Sequence, residues 1–423
     1  MIQSEFGRLA AYLSRLLLAL GLSILASGCQ TIPMPDPRPG AWLVFLCRAS
    51  DAAQEPHTVA FYQELFASNQ RDLLFDYFQN ASNSKIDLSG TEVYGWFAMT
   101  VPTATLAARN NTTSPNRSQT AQDCKSAGAA GFLATGRSID PGKYAGFIGV
   151  INVGVDVGQA GQGSLVANQN ESVSFFAHEM LHVFGLPHSY VMANDTSPDH
   201  GWNQGVDTVY NDCWDIMSFA TCTYRFNTGI HGLQGPELQI AYRQKLGWVA
   251  TARIFTKDAA DPLPSTVTMP PVSEPGRPGP LMARIEVPGG ARYVVEYRVP
   301  TGFDRGVPNS AVVIRELRND GLSYLVKRQN GKIGWAQGER FTDIGNFLSI
   351  TVDAITSQSA TITINPRFAA TANLGDVCGN KYVGEVRPCA PGTTCGQKSS
   401  RSCSGWWIFS SCTTLVSTDY FCQ

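Results

Sequence analysis

Twelve consecutive residues, His178-Glu179-Met180-Leu181-His182-Val183-Phe184-Gly185-Leu186-Pro187-His188-Ser189, constrain this chain more than any other stretch. His178 and His182 stand four apart, so on a helix both imidazoles rise from one face, about 6 Å apart along the axis. That is within reach of one zinc ion held at about 2.0–2.1 Å by each nitrogen. Glu179, beside the first imidazole, projects toward the side where a water would sit and can take that water's proton. Gly185 permits a sharp turn because it carries no Cβ at positive φ, and Pro187 cannot continue a helix interior. The chain therefore turns back and offers His188 as a third nitrogen. Three protein ligands leave one position open, the pattern of catalytic rather than structural zinc. The chain has only six histidines, three of them here, and random placement would produce the full pattern on the order of a few times in a million chains.

The stretch resembles the metzincin zinc endopeptidases, whose pattern is H-E-x-x-H-x-x-G-x-x-H followed by a methionine turn. Ser189 after the third histidine and Leu246-Gly247-Trp248 downstream are similar to the gametolysin-like branch. The resemblance covers roughly residues 40 to 250. It implies an α/β catalytic domain with a mixed sheet and an active-site helix. It also implies one catalytic Zn2+ on His178, His182 and His188, with Glu179 as general base. Cys213-Trp214-Asp215-Ile216-Met217-Ser218 would be the methionine turn, with Met217 as a soft apolar floor beneath the imidazoles. Where some metzincins place a tyrosine two residues after that methionine, this chain has Phe219. Tyr190, Tyr210 and Tyr224 are the alternatives by sequence proximity. His200 and His231 are read as surface or packing histidines, since three ligands are already in hand.

Residues 1–28 read as an export signal. Arg8 and Arg15 precede an apolar run of ten, Leu16 to Leu25, too short to span a bilayer as a helix. Leu25-Ala26-Ser27-Gly28-Cys29 resembles a bacterial lipobox, which would make Cys29 a lipidated N-terminus and the protein an outer or cell-surface lipoprotein. An ordinary secretory signal cut near the same place is the alternative. Residues 29–40, with four prolines, form a stiff tether. The cysteine count agrees: of 11, removing Cys29 leaves ten, an even set suited to disulfides in an oxidising compartment. These are Cys47, Cys124, Cys213, Cys222, Cys378, Cys389, Cys395, Cys403, Cys412 and Cys422. A Cys213–Cys222 bridge would clamp the methionine turn, and counting alone suggests Cys47–Cys124. None has zinc-ribbon spacing.

The periodicity predicts a buried strand at 42–46, helices at 58–69, 71–79 and 117–130, strands at 92–101 and 144–153, a flexible loop at 154–163 and a closing helix at 234–247. That loop would be either a plain connection or the border of a substrate cleft offering a sheet edge. Asp156 within it does not complete a calcium-loop spacing, so Ca2+ has no motif behind it. A catalytic domain over 41–250 is followed by strands at 283–287, 292–299, 311–317, 347–354 and 361–365, a β-sandwich-like domain over 251–368. In the alternating strand at 292–298, Glu296 and Arg298 read as a half-exposed cross-strand charge pair. Residues 375–423 read as a cysteine-rich module stapled by three bridges. Trp406-Trp407-Ile408-Phe409 within it is either a docking patch for a cell surface, polymer or protein partner, or the module's own core.

A formal charge of −2, with 16% charged residues, argues against a nucleic-acid surface. A membrane contact would come only through the lipid anchor. The implied activity is zinc-dependent hydrolysis of peptide bonds in extracellular or surface proteins. The rival class is a non-catalytic surface adhesin or binding protein on the same scaffold.

Overall fold

In the computed structural model, the described residues are 40–366 except 112–114, 162, 170, 193–209, 219–223, 288–291, 320, 328–332 and 344–347, with the backbone of 377–380, 395–404 and 411–422. The elements begin with β1 (Trp42–Arg48), α1 (Val59–Ala67), α2 (Leu74–Ala81), β2 (Glu92–Ala98), α3 (Thr103–Ala108) and α4 (Pro115–Ala134). There follow β3 (Gly146–Ile151), β4 (Gly158–Gln159), β5 (Ser164–Asn168), α5 (Val173–Val183), β6 (Tyr190–Val191), β7 (Phe226–Asn227), β8 (Leu233–Gln234) and α6 (Ile240–Lys245). The fold is mixed α/β with several sheets, and no helix among the described residues is long and apolar enough to cross a membrane.

The first sheet has the order β2-β1-β3-β5-β4, parallel except for the antiparallel edge strand β4. Both faces of β1 are buried, as a parallel sheet with helices on each side requires. Trp42, Val44 and Leu46 join a core with α1, α2 and α5. Leu43, Phe45 and Cys47 face α4 through Ala121, Cys124 and Phe132. A Cys47–Cys124 disulfide, with Cα atoms 5.7 Å apart, pins α4 to this sheet.

Several boundaries differ from the periodicity. The helix predicted at 71–79 begins only at Leu74, because Asp72 sits at φ 71° and its N–H donates to the Asp76 carboxylate instead. Loop 154–163 contains β4, and the short strand β5 after it has the Val-Ala-rich sequence of a buried strand. The helix predicted at 234–247 is reduced to Ile240–Lys245. Gly235 stands at φ 69°, where a Cβ would meet the Phe303 carbonyl at 2.0 Å. Pro236 biases that residue away from helix, so Leu233–Gln234 pairs with Phe226–Asn227 as strand instead.

Beyond α6 the chain is β: β9 (Ile254–Asp258), β10 (Ser265–Met269), β11 (Met282–Glu286), β12 (Arg292–Arg298), β13 (Ala311–Leu317), β14 (Ser323–Leu325), β15 (Arg340–Asp343), β16 (Leu348–Ile355) and β17 (Ala360–Pro366). A six-stranded sheet, β6-β14-β13-β12-β11-β9, and a four-stranded sheet, β10-β17-β16-β15, share one apolar core. Tyr293, Val295, Tyr297, Val312 and Ile314 enter that core from the first sheet, and Ile350, Val352, Ile362 and Ile364 from the second. Finally, β18 (Val377–Asn380), β19 (Cys395–Ser404) and β20 (Ser411–Cys422) form an antiparallel sheet in the order β18-β20-β19. Its register sets Cys395 opposite Cys422 and Cys403 opposite Cys412. Cys29, Cys222, Cys389 and Trp406–Phe409 lie outside the described residues, while Cys213 is disulfide-bonded.

The reading of Glu296 and Arg298 as a half-exposed cross-strand pair is corrected. Both are fully buried neighbours on one face of the same strand, with the Arg298 Nη1 donating to Glu296 Oε1 at 2.9 Å. The six-stranded sheet is covered on both faces, so polar alternation along β12 does not mark solvent. The face opposite the apolar core packs on α6 and on residues 212–217 through a buried ion network. Arg315 donates to Asp212 at 2.6 Å and also to Glu296; Arg298 donates to Asp304 at 2.5 and 2.6 Å; Arg243 donates to Glu237 at 2.5 Å. Glu296 accepts from the Ile240 N–H at 2.8 Å, and Asp215 accepts from Gln239 Nε2 at 2.6 Å. Burial works against an ionised Glu296, yet Arg315 and Arg298 outweigh it and hold its carboxyl at about 2. Glu237 and Asp215, less well compensated, are pushed up by burial.

Candidate metal centre

Helix α5 carries the centre, and its sequence specifies both ends. Ser172 accepts from the Phe175 N–H at the N-terminus. At the C-terminus the Leu186 N–H reaches the Leu181 carbonyl at 3.1 Å and the Gly185 N–H the His182 carbonyl at 2.9 Å. These two bonds make a Schellman motif, with Gly185 at φ 88° in the left-handed position and Leu186 and Leu181 in the same core. Val173, Phe176, Ala177, Met180 and Leu181 form the buried stripe. The opposite face presents His178, Glu179 and His182 to a cleft of about 820 Å³. The Schellman turn brings His188 to the same point.

His182 Nε2 lies 3.0 Å from His178 Nε2 and 3.1 Å from His188 Nε2. Two of the rings are oriented from behind: His178 Nδ1 meets the Ile216 carbonyl at 2.7 Å and His182 Nδ1 the Leu186 carbonyl at 2.8 Å. A carbonyl only accepts, so both Nδ1 atoms carry the proton and both Nε2 atoms present lone pairs. Two lone pairs that close repel each other unless a cation sits between them. Their separation approaches the roughly 3.3 Å between ligands of a tetrahedral ion at 2.0–2.1 Å. Burial also holds the imidazoles neutral, pushing His178 down to about 3 and His188 to about 4. Three neutral nitrogens within 4.8 Å of one another are a donor set that fits zinc.

The third imidazole, His188, is fixed by its surroundings. The Tyr210 ring stacks on His188, centroids 3.9 Å apart and planes within 7°, and the buried Tyr242 of α6 donates to the His188 carbonyl at 2.7 Å. Residues 212–218 run behind the imidazoles. The Met217 carbonyl accepts from the Ser189 N–H at 3.0 Å, and its side chain is fully buried with Met180, Leu181 and Leu186. Phe219 lies outside the described residues. Of the three tyrosines considered, Tyr210 lines the cleft, Tyr190 stacks on Tyr324, and Tyr224 packs on Trp214. His231 is buried against Phe61; His200 lies outside the described residues.

Glu179 faces the same cleft. Burial raises its carboxyl to about 7, while the Arg117 guanidinium and the Gln159 N–H of β4 act in the opposite sense. A cation on the imidazoles would add to that opposing pull. Arg117 is held by a two-pronged pair with Asp156, at 2.7 and 3.0 Å, which gives Asp156 an occupation unrelated to calcium. Arg117, Gln159, Tyr242 and Arg225 were beyond the reach of motif spacing, because each comes from a different element, whereas Tyr210 was one of three tyrosines that sequence proximity offered. Neither the family models nor the curated proteins match this chain.

Proposed function

We propose that the chain is a zinc-dependent endopeptidase of the metzincin type. One observation carries the reading: His182 Nε2 lies 3.0 and 3.1 Å from the Nε2 atoms of His178 and His188, the three ligand atoms all within 4.8 Å of one another, beside a carboxylate that lines the same cleft. His178, His182 and His188 would hold the ion, which when bound supplies Lewis acidity to a carbonyl oxygen and acidifies water. Glu179 then accepts the proton of the attacking water and delivers it to the leaving amide nitrogen. Its carboxylate is aimed by the Gln159 N–H and kept in the range of a general base by Arg117. Among the described residues strand β4 is the edge of its sheet, so an extended peptide could add to that edge beside the centre. Ile216, Leu186 and Tyr242 fix the ligand orientations through their hydrogen bonds, as outer partners of metal sites do. The export signal, the Cys29 anchor and docking through residues 375–423 belong to the same proposal and rest on the sequence.

The test is elemental analysis combined with peptide cleavage. The purified protein should carry one zinc per chain, His188→Ala should lower that stoichiometry, and cleavage of a quenched fluorescent peptide library should stop on chelation. A folded, zinc-loaded protein that cleaves no peptide would favour the adhesin class instead.

A further inference from the structure

The metal-centre cleft contains a second charged group that the reaction does not use. Arg225 lines it together with Glu171, Ser172, Phe175, Asn227 and Leu233. Its backbone is held on a rigid frame. The Tyr224 N–H donates to the Cys213 carbonyl at 3.0 Å, and Phe226 and Asn227 pair with Gln234 and Leu233. Its side chain is half-buried, and its Nε is sealed from solvent without an acceptor. Among the described residues the guanidinium makes no hydrogen bond and no ion pair.

This sets Arg225 apart from the other buried arginines. Arg243, Arg298 and Arg315 each meet a carboxylate within 2.6 Å, and Arg117 meets Asp156 at 2.7 Å. A guanidinium has five donors in a fixed fork suited to a carboxylate, and leaving the sealed Nε donor unmet is costly. Among the described residues Glu171 is the one carboxylate that acts on it electrostatically, but Glu171 already accepts from Asn168 Nδ2 at 2.9 Å, and burial raises it to about 7. Near neutral pH it therefore compensates Arg225 only in part. Arg225 also bears on His178 electrostatically, so the unmet charge and the metal centre share one neighbourhood.

We propose that Arg225 is a specificity-determining residue that selects substrates carrying a carboxylate next to the bond cleaved. This rests on the peptidase reading above and names its substrate class. The carboxylate comes either from an Asp or Glu side chain at a position flanking the scissile bond or from a free chain terminus just beyond it.

The test uses the full chain with zinc and six matched peptides in three pairs: Glu or Gln at each of the two flanking positions with blocked ends, and a free acid or an amide one residue past the bond. Wild type should prefer the acid over its amide counterpart by at least about tenfold in kcat/KM, the worth of one hydrogen-bonded charge pair. Arg225→Gln should bring that ratio to about one, and Arg225→Lys should keep part of it. The ratio is taken within each variant, so differences in folded fraction cancel. Whichever pair carries the preference identifies the source of the carboxylate. Cleavage with no acid preference in any of the three pairs overturns the proposal while leaving the peptidase reading intact. If no peptide is cleaved, the peptidase reading fails and fluorescence anisotropy decides the rest. Tighter binding of the acid peptide than the amide, abolished in Arg225→Gln, upholds carboxylate selection by Arg225, and equal binding overturns it.

Discussion

Removing one arginine far from the cleft should disturb the metal centre as well as the fold. Arg315 is fully buried and its guanidinium bridges Asp212, at 2.6 Å, and Glu296. Asp212 in turn accepts from the Trp214 N–H at 3.0 Å, at the start of the turn whose Ile216 carbonyl orients His178. Arg315→Met keeps most of the aliphatic stem, so little cavity forms, but Asp212 loses its only counter-charge within 4 Å among the described residues. Glu296 retains Arg298 at 2.9 Å. Breaking a buried pair from one side costs about 3–5 kcal/mol, a large part of a total stability of about 5–15 kcal/mol. At roughly 2–3 °C per kcal/mol for a chain of this size, the thermal midpoint should fall by about 6–15 °C. The assay is urea and thermal unfolding of wild type, Arg315→Met, and Arg315→Met combined with Asp212→Asn. Removing the stranded charge in the double variant should restore at least about 1.5 kcal/mol, the scale of a charged hydrogen bond. A loss below about 1 kcal/mol in the single variant, or no recovery in the double, would refute the idea that Asp212 depends on Arg315 as its buried counter-charge.

Other outcomes follow from the same geometry. Glu296 has a folded pKa of about 2 against about 4.3 unfolded, so its stabilisation is fully present above the unfolded value and is lost as pH falls through the folded one. The gap in urea midpoint between wild type and Glu296→Gln should therefore be wide at pH 6 and narrow steadily below pH 4; a constant gap would contradict this. Replacing Cys47 and Cys124 together with serine should cost about 2–4 kcal/mol in denaturant unfolding, since the bond closes a long loop and pins α4 to the sheet. Gly185→Ala should destabilise by about 1 kcal/mol or more at a φ of 88° and lower zinc affinity, because the turn that delivers His188 is strained; equilibrium dialysis reads the affinity.

How much of this was legible beforehand differs by element. The four residues at the centre of the cleft were readable because they sit on one helix and the turn after it, where spacing fixes geometry. The strand at 42–46, the helix carrying Cys124 and the disulfide to Cys47 were also readable, from apolar runs and counting. The ion network was not. Alternation along 292–298 reports a change of residue type, and solvent was assumed to be the reason. A sheet covered on both faces uses the same alternation to separate an apolar core from a buried charged layer. Arg225, Arg117 and Gln159 were hidden for another reason: each enters the cleft from a separate segment, and only tertiary packing brings them to α5.

The most direct measurement is the turnover of Glu179→Gln beside its zinc content. If Glu179 is the general base at a centre held by His178, His182 and His188, the variant should retain about one zinc per chain, since none of its ligands changes. It should at the same time lose at least about 10²–10⁴-fold in peptide hydrolysis, the usual worth of a positioned general base. Retained zinc with turnover close to wild type would contradict the central claim.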